Sequence, residues 1–136
     1  MTHVLLFIVT IFGLNVGQDE SKNDLLDGVY VLVSSHFGDV DWVSPKWKGM
    51  MIVKNGRYSR IYQEVEGNSP VSFHCNGGTL KFDGKVVKMK LGYSNFKEIR
   101  NVTYENRVTW SLDRNRLTLN AVQKGNDFQE IWKRTE

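Results

Sequence analysis

The sequence predicts an all-β protein, an antiparallel up-and-down β-barrel of about eight strands, on three observations. Beyond residue 17, apolar and polar residues alternate with period two, and no stretch sustains a helical period. Turn-forming pairs recur at short spacing, Asn55-Gly56 and Asp83-Gly84 foremost, so neighbouring strands pair as hairpins. A meander of that many strands leaves two open edges unless it closes on itself, and a barrel removes both. A two-sheet β-sandwich is the alternative. Its longer crossovers could come only from residues 36–48 and 67–78.

Taken in order, residues 25–27 form a short helical or irregular lead-in to a first strand at 28–35, whose valines favour extended backbone. Residues 36–48 carry Gly38, Pro45 and two tryptophans without alternation, which reads as a long connection or lid. Strands at 49–54 and 57–65 flank Asn55-Gly56, the strongest local hairpin signal in the chain. Residues 67–78 have loop composition, with a short extended piece at 71–74. A second hairpin of the same type joins 79–82 to 85–92 through Asp83-Gly84. Strands at 98–104, 107–112, 116–122 and 128–134 follow, joined through Glu105-Asn106, 113–115 and 124–127.

The length of 136 residues favours one domain, and 40% hydrophobic with 24% charged content is ordinary globular usage. The net charge of +3 is spread over interspersed signs, which predicts no nucleic-acid partner. Lys81, Lys85, Lys88 and Lys90 alternate with Phe82, Val87, Met89 and Leu91, as the solvated face of a strand does. The first seventeen residues contain no Lys, Arg, Asp or Glu, and 4–12 is apolar but for Thr10. That run is short for a membrane span and suits a signal peptide over 1–17. The expected mature domain is 18–136, secreted and extracellular, without a membrane span. Asn101-Val102-Thr103 is an N-glycosylation sequon and fits a secreted glycoprotein. Cys75 is the sole cysteine, so no intramolecular disulfide forms; burial in a monomer and a Cys75-linked dimer are both open, with the monomer expected.

The first strand with its preceding Leu26-Asp27, the run Lys48-Gly49-Met50-Met51-Ile52-Val53-Lys54-Asn55-Gly56-Arg57, and the ending Phe128-Gln129-Glu130-Ile131-Trp132-Lys133-Arg134 together resemble a lipocalin-like domain of the calycin superfamily. That group includes lipocalins and fatty-acid-binding proteins. Tyr30 stands where the family's opening strand carries tryptophan, and the chain lacks a disulfide. The resemblance implies a barrel that holds a small ligand, closed at one end by Arg134 packing across Tyr30.

Catalytic chemistry finds no constellation in the expected mature sequence. His36 and His74 lie far apart, His74-Cys75 is a lone adjacent pair, and Asp39 and Asp41 have no further carboxylate to complete a calcium loop. No enzyme, metal or cofactor is expected. Binding is better supported. Tyr58, Arg60 and Tyr62 share one face of a strand; facing inward, Arg60 would anchor an acidic head group, and facing outward, Ser59, Ile61 and Gln63 would take the interior. Met89, Leu91, Tyr93, Trp110, Leu119 and Trp132 are expected inside, either lining a cavity or filling the core. The expected function is carriage of a small hydrophobic or amphiphilic ligand. The competing reading is a cavity-less interaction module that presents Phe37, Trp42 and Trp47, although a lid over the barrel mouth would use the same residues.

Overall fold

A computed structural model describes residues 22–43, 46–67, 69–123 and 125–136, so the expected signal segment 1–17 lies outside the described residues. The strands are β1 (Gly28–Phe37), β2 (Val40–Val43), β3 (Trp47–Lys54), β4 (Arg57–Glu66), β5 (Ser69–Phe82), β6 (Val86–Ser94), β7 (Thr103–Trp110), β8 (Arg116–Gln123) and β9 (Asn126–Arg134). Every pairing is antiparallel. The order β1-β3-β4-β5-β6-β7-β8-β9 closes through β9 onto β1, giving an eight-stranded barrel with β2 added beside the outer half of β1. Among the described residues there is no α-helix, only 3-10 turns at Lys22–Leu26 and Lys97–Ile99, and no helix is long and apolar enough to cross a membrane.

Alternation puts one face of each strand inside. Tyr30, Leu32, Met51, Val53, Tyr58, Tyr62, Leu80, Phe82, Val87, Met89, Leu117, Leu119 and Trp132 form one buried core cluster. Bulges correct the phase where strict alternation would fail. In β1 the register against β9 slips between Leu32 and Ser34, so the buried face passes from Tyr30 and Leu32 to Ser35. In β6 the register against β5 slips between Gly77 and Gly78, leaving Gly92 and Tyr93 exposed in succession.

Three sequence expectations change. The expected long connection at 36–48 is replaced at its described residues by strand: β1 runs to Phe37, Gly38 takes a positive φ of 58°, β2 folds back on β1 as a hairpin, and β3 opens at Trp47. From Ser69 on, the stretch 67–78 is not a loop, because β5 is a continuous strand of 14 residues that pairs with β4 from Ser69 to Thr79. Gly77 and Gly78, part of the loop composition of this stretch, serve close packing instead. A Cβ on Gly77 would stand 2.2 Å from the Tyr93 hydroxyl, and one on Gly78 would stand 1.9 Å from the Lys90 carbonyl. The two strands expected at 98–104 and 107–112 are one strand, β7, which runs from Thr103 to Trp110 with Glu105 and Asn106 paired in its ladder rather than in a turn; the 3-10 turn and a positive-φ Asn101 precede it.

The two hairpins expected to be alike differ. At Asn55-Gly56 both residues have positive φ, 50° and 70°, the signature of a type I′ turn. At Asp83-Gly84 only Gly84 does, and the Asp83 carboxylate accepts from the Lys85 and Val86 amides at 2.8 and 2.7 Å. Gly56→Val should therefore lower stability by about 1–3 kcal/mol, since a β-branched residue resists positive φ. Thermal melts followed by circular dichroism check this, and an unchanged Tm would contradict the turn's role.

Candidate ligand site in the barrel lumen

One end of the barrel is sealed. The turn Lys22–Leu26 lies across it with Leu26 buried, and the Tyr30 hydroxyl donates to the Leu26 carbonyl at 2.8 Å. The Arg134 guanidinium stands 5.3 Å from the Tyr30 ring and 4.9 Å from the Trp110 ring, and donates through Nη2 to the Tyr30 hydroxyl and the Leu25 carbonyl, both at 2.8 Å. Asn23 accepts from the Phe82 amide at 2.7 Å, and Asp27 pairs with Lys54 at 2.9 Å. These contacts tie the lead-in segment to two hairpin ends, β3–β4 and β5–β6, and to the end of β9.

Above the seal the lumen turns polar. Tyr58, Arg60 and Tyr62 are all buried, so this face of β4 points inward and Ser59, Ile61 and Gln63 point out. The Glu130 carboxylate accepts from Tyr62 OH at 2.6 Å, Trp132 Nε1 at 3.0 Å and Arg60 Nη1 at 3.2 Å. Strands β3 and β1 separate β4 from β9 in the ring, so the Arg60 and Tyr62 bonds cross the interior. Arg60 Nε donates to Asn76 Oδ1 at 3.0 Å, and Asn76 Nδ2 lies 3.4 Å from His74 Nε2. His74 stacks on Tyr62, with centroids 5.7 Å apart, and meets Phe96 at 4.5 Å.

Burial pushes Tyr62 well above the ordinary phenol range, and it raises Tyr58 to about 12 against the pull of the Arg60 charge. Both remain protonated donors at neutral pH. Burial opposes the charge on Arg60, but its anionic surroundings outweigh it; with both tyrosines neutral, the Glu130 carboxylate is what holds the guanidinium protonated at neutral pH. His74 is lowered, by burial first and by Arg60 second.

Among the described residues, three buried polar side-chain atoms have no hydrogen-bond partner: Ser35 Oγ, Tyr58 OH and Asn106 Oδ1. They come from β1, β4 and β7, three separate walls of one lumen. An unpartnered buried polar atom costs about 1–3 kcal/mol, so each of the three would gain from a bonding group. Toward the mouth the lining loosens. Tyr104, Ala121 and Phe128 are half-buried, and Phe37 meets Phe128 edge-on at 6.5 Å.

Of the residues expected inside, Met89, Leu91, Leu119 and Trp132 are buried there with the Tyr58, Arg60 and Tyr62 row. Trp110 is half-buried beside Arg134 in the sealed end. Tyr93 is a correction. It is 47% exposed on the outer surface, because the β6 bulge turns it out over Gly77, where its hydroxyl donates to Ser59 at 2.8 Å. Cys75 is half-buried on the outward face of β5, paired across the ladder with Ile61. Asn101 is exposed in the turn before β7. Trp47 packs against the core, and the side chain of Trp42 lies outside the described residues.

Glu130, Asn76, Asn106 and Ser35 were not anticipated. Glu130 had a signal: it shares the period-two face of Trp132, where a carboxylate in an apolar row needs a partner. Asn106 was read as a turn residue, and Ser35 needs the β1 bulge to face in. Among the described residues no group of three or more His, Cys, Asp or Glu could hold a metal ion.

The fold is a closed eight-stranded antiparallel barrel, consistent with a calycin-like architecture. Neither the protein-family models nor the curated proteins compared with the chain give a match.

Glu130→Ala should cost about 3–5 kcal/mol, because it leaves Arg60 charged and uncompensated in the interior. Pairing Arg60→Met with Glu130→Gln should recover much of that loss in denaturant titrations; equal loss in both variants would show that the ion pair is not the controlling interaction. His74 gives a pH dependence. Its folded pKa lies below its unfolded value, so the stability tied to the neutral ring is complete above about pH 6.5 and is lost as pH falls through the folded value. His74→Phe should flatten the fall in denaturation midpoint between pH 7.5 and 5, and an identical fall in both proteins would exclude His74 as its source.

Proposed function

We propose that the protein is a secreted carrier of one small amphiphilic molecule held in the barrel lumen. The observation that carries this reading is the set of unpartnered polar atoms, Ser35 Oγ, Tyr58 OH and Asn106 Oδ1, inside a barrel whose other lining residues are mostly large and apolar. Met89, Leu91, Leu119 and Trp132 offer apolar contact, while the polar atoms fix one end of a guest. The sealed end is tied down by Arg134 and the lead-in turn, and half-buried Tyr104 and Phe128 stand on the opposite side of the polar network. A guest therefore enters from the Phe37–Phe128 end. Secretion is supported by the uncharged apolar run within 1–17 and the polar residues that follow it, and the exposed Asn101 sequon is compatible with a glycoprotein.

The aromatic-patch alternative has less support, since Phe37 leans on Phe128 and Trp47 packs against the core. Titrating protein that begins at Gln18 with a polarity-sensitive dye, long-chain alcohols, fatty acids and retinoids should give saturable binding at one site. Emission from Trp132 should change on binding, and Trp132→Phe should remove that part of the signal. No saturable binding by any of these probes would exclude the carrier function.

A further inference from the structure

We infer that the lumen selects neutral, hydroxyl-bearing amphiphiles over carboxylates. The inference rests on the carrier reading and adds the chemistry of the polar end.

Its first support is a count of charge. The two buried charged side chains of the interior are Arg60 and Glu130, and they pair at 3.2 Å. Arg134 is committed to the sealed end by Tyr30, Trp110 and the Leu25 carbonyl. The cation that an acidic head group would need is thus already neutralised from within, and an incoming carboxylate would add a net negative charge in a low-dielectric space. Displacing Glu130 does not relieve this. The same carboxylate accepts from Tyr62 and Trp132, so its removal would strand two further buried donors. Arg60 does keep unused donors, because only Nε and Nη1 carry hydrogen bonds. They can serve a neutral oxygen without changing the charge balance.

The second support is the character of the unpartnered groups. Two are hydroxyls and one is a carboxamide oxygen, all uncharged. The Asn106 oxygen accepts only, while Ser35 and Tyr58 can donate or accept. A carboxylate has no proton to give Asn106. A hydroxyl both donates and accepts, so it can meet Asn106 or either of the other two. Asn106 pairs with Val87, and Leu119 and Met89 are buried in the neighbouring strands, so its surroundings are apolar, as an aliphatic or polyene tail would need.

The test uses matched pairs, hexadecanol with palmitate and retinol with retinoate, competing at pH 7.5 against a neutral polarity-sensitive dye. Each alcohol should displace the dye at a concentration at least about tenfold below that of its acid. Glu130→Gln keeps the side-chain shape and leaves Arg60 as a net positive charge, so it should shift the preference at least about tenfold toward the acids. Tyr58→Phe and Asn106→Leu should weaken the alcohols several-fold, and these variants decide the matter if Glu130→Gln does not fold. Acids binding the wild-type protein as tightly as alcohols, with the dye still displaced at one site, would overturn the selectivity and leave the carrier function standing. Alcohol binding unchanged in both Tyr58→Phe and Asn106→Leu would likewise overturn it. Failure of the dye and of every competitor to bind would remove the carrier function itself.

Discussion

The Glu130 carboxylate joins two walls of the barrel that the backbone ladder leaves apart. Through Tyr62 and Arg60 it reaches β4, and through Trp132 it fixes the rotamer of the largest side chain on its own strand. Hydrogen bonds of the sheet hold each strand to its neighbours, and strand number with stagger sets the width of the closed barrel. The ion pair fixes two opposed walls to each other within that width. It also accounts for the shape of the interior, because the apolar residues on the sealed side pack beneath a polar floor instead of collapsing through it. A buried ion pair adds little net stability compared with an apolar pair of the same volume, so its contribution here is better read as specificity of arrangement.

The two ends of the barrel follow from different physics. At the sealed end, Arg134 lies between two aromatic rings and bonds to a tyrosine hydroxyl and a carbonyl, so its charge is met without a carboxylate. The lead-in turn is then held by polar contacts to hairpin ends, where main-chain groups would otherwise be left unpaired. At the mouth, half-buried aromatics replace these fixed polar contacts, and His74 is wedged between Tyr62 and Phe96. Rigidity at one end and looser aromatic packing at the other give the lumen a direction.

Much of the barrel was legible in the sequence because closure is forced by a hairpin succession with no other way to hide its edges. The strand faces were less legible. Period-two alternation leaves the phase of each strand undetermined, and β4 reads equally well with Arg60 in or out. The partner that settles it, Glu130, lies seventy residues away in the chain. Bulges defeat alternation altogether: Ser35 enters the interior and Tyr93 leaves it because one residue is inserted in β1 and another in β6. The loop composition of residues 67–78 misled for a related reason. Glycine that signals a turn by its φ looks the same, in sequence, as glycine that makes room for a ring, as Gly77 does for Tyr93.

These bulges shape the interior, and the one in β6 trades a bulky interior side chain for a small polar one. Without the slip in β1, strict alternation from Tyr30 and Leu32 would place Ser34 and His36 inside in place of Ser35 and Phe37. Without the slip in β6, Tyr93 would follow Leu91 into the lumen in place of Ser94. A tyrosine there would crowd Asn76 and His74, the residues that carry the polar network from β4 into β5. Turning it outward onto Gly77 removes the largest obstruction from the side of the barrel where Arg60 and Tyr62 must span the interior. Which side chains occupy the interior is thus set by backbone irregularities as much as by period-two alternation.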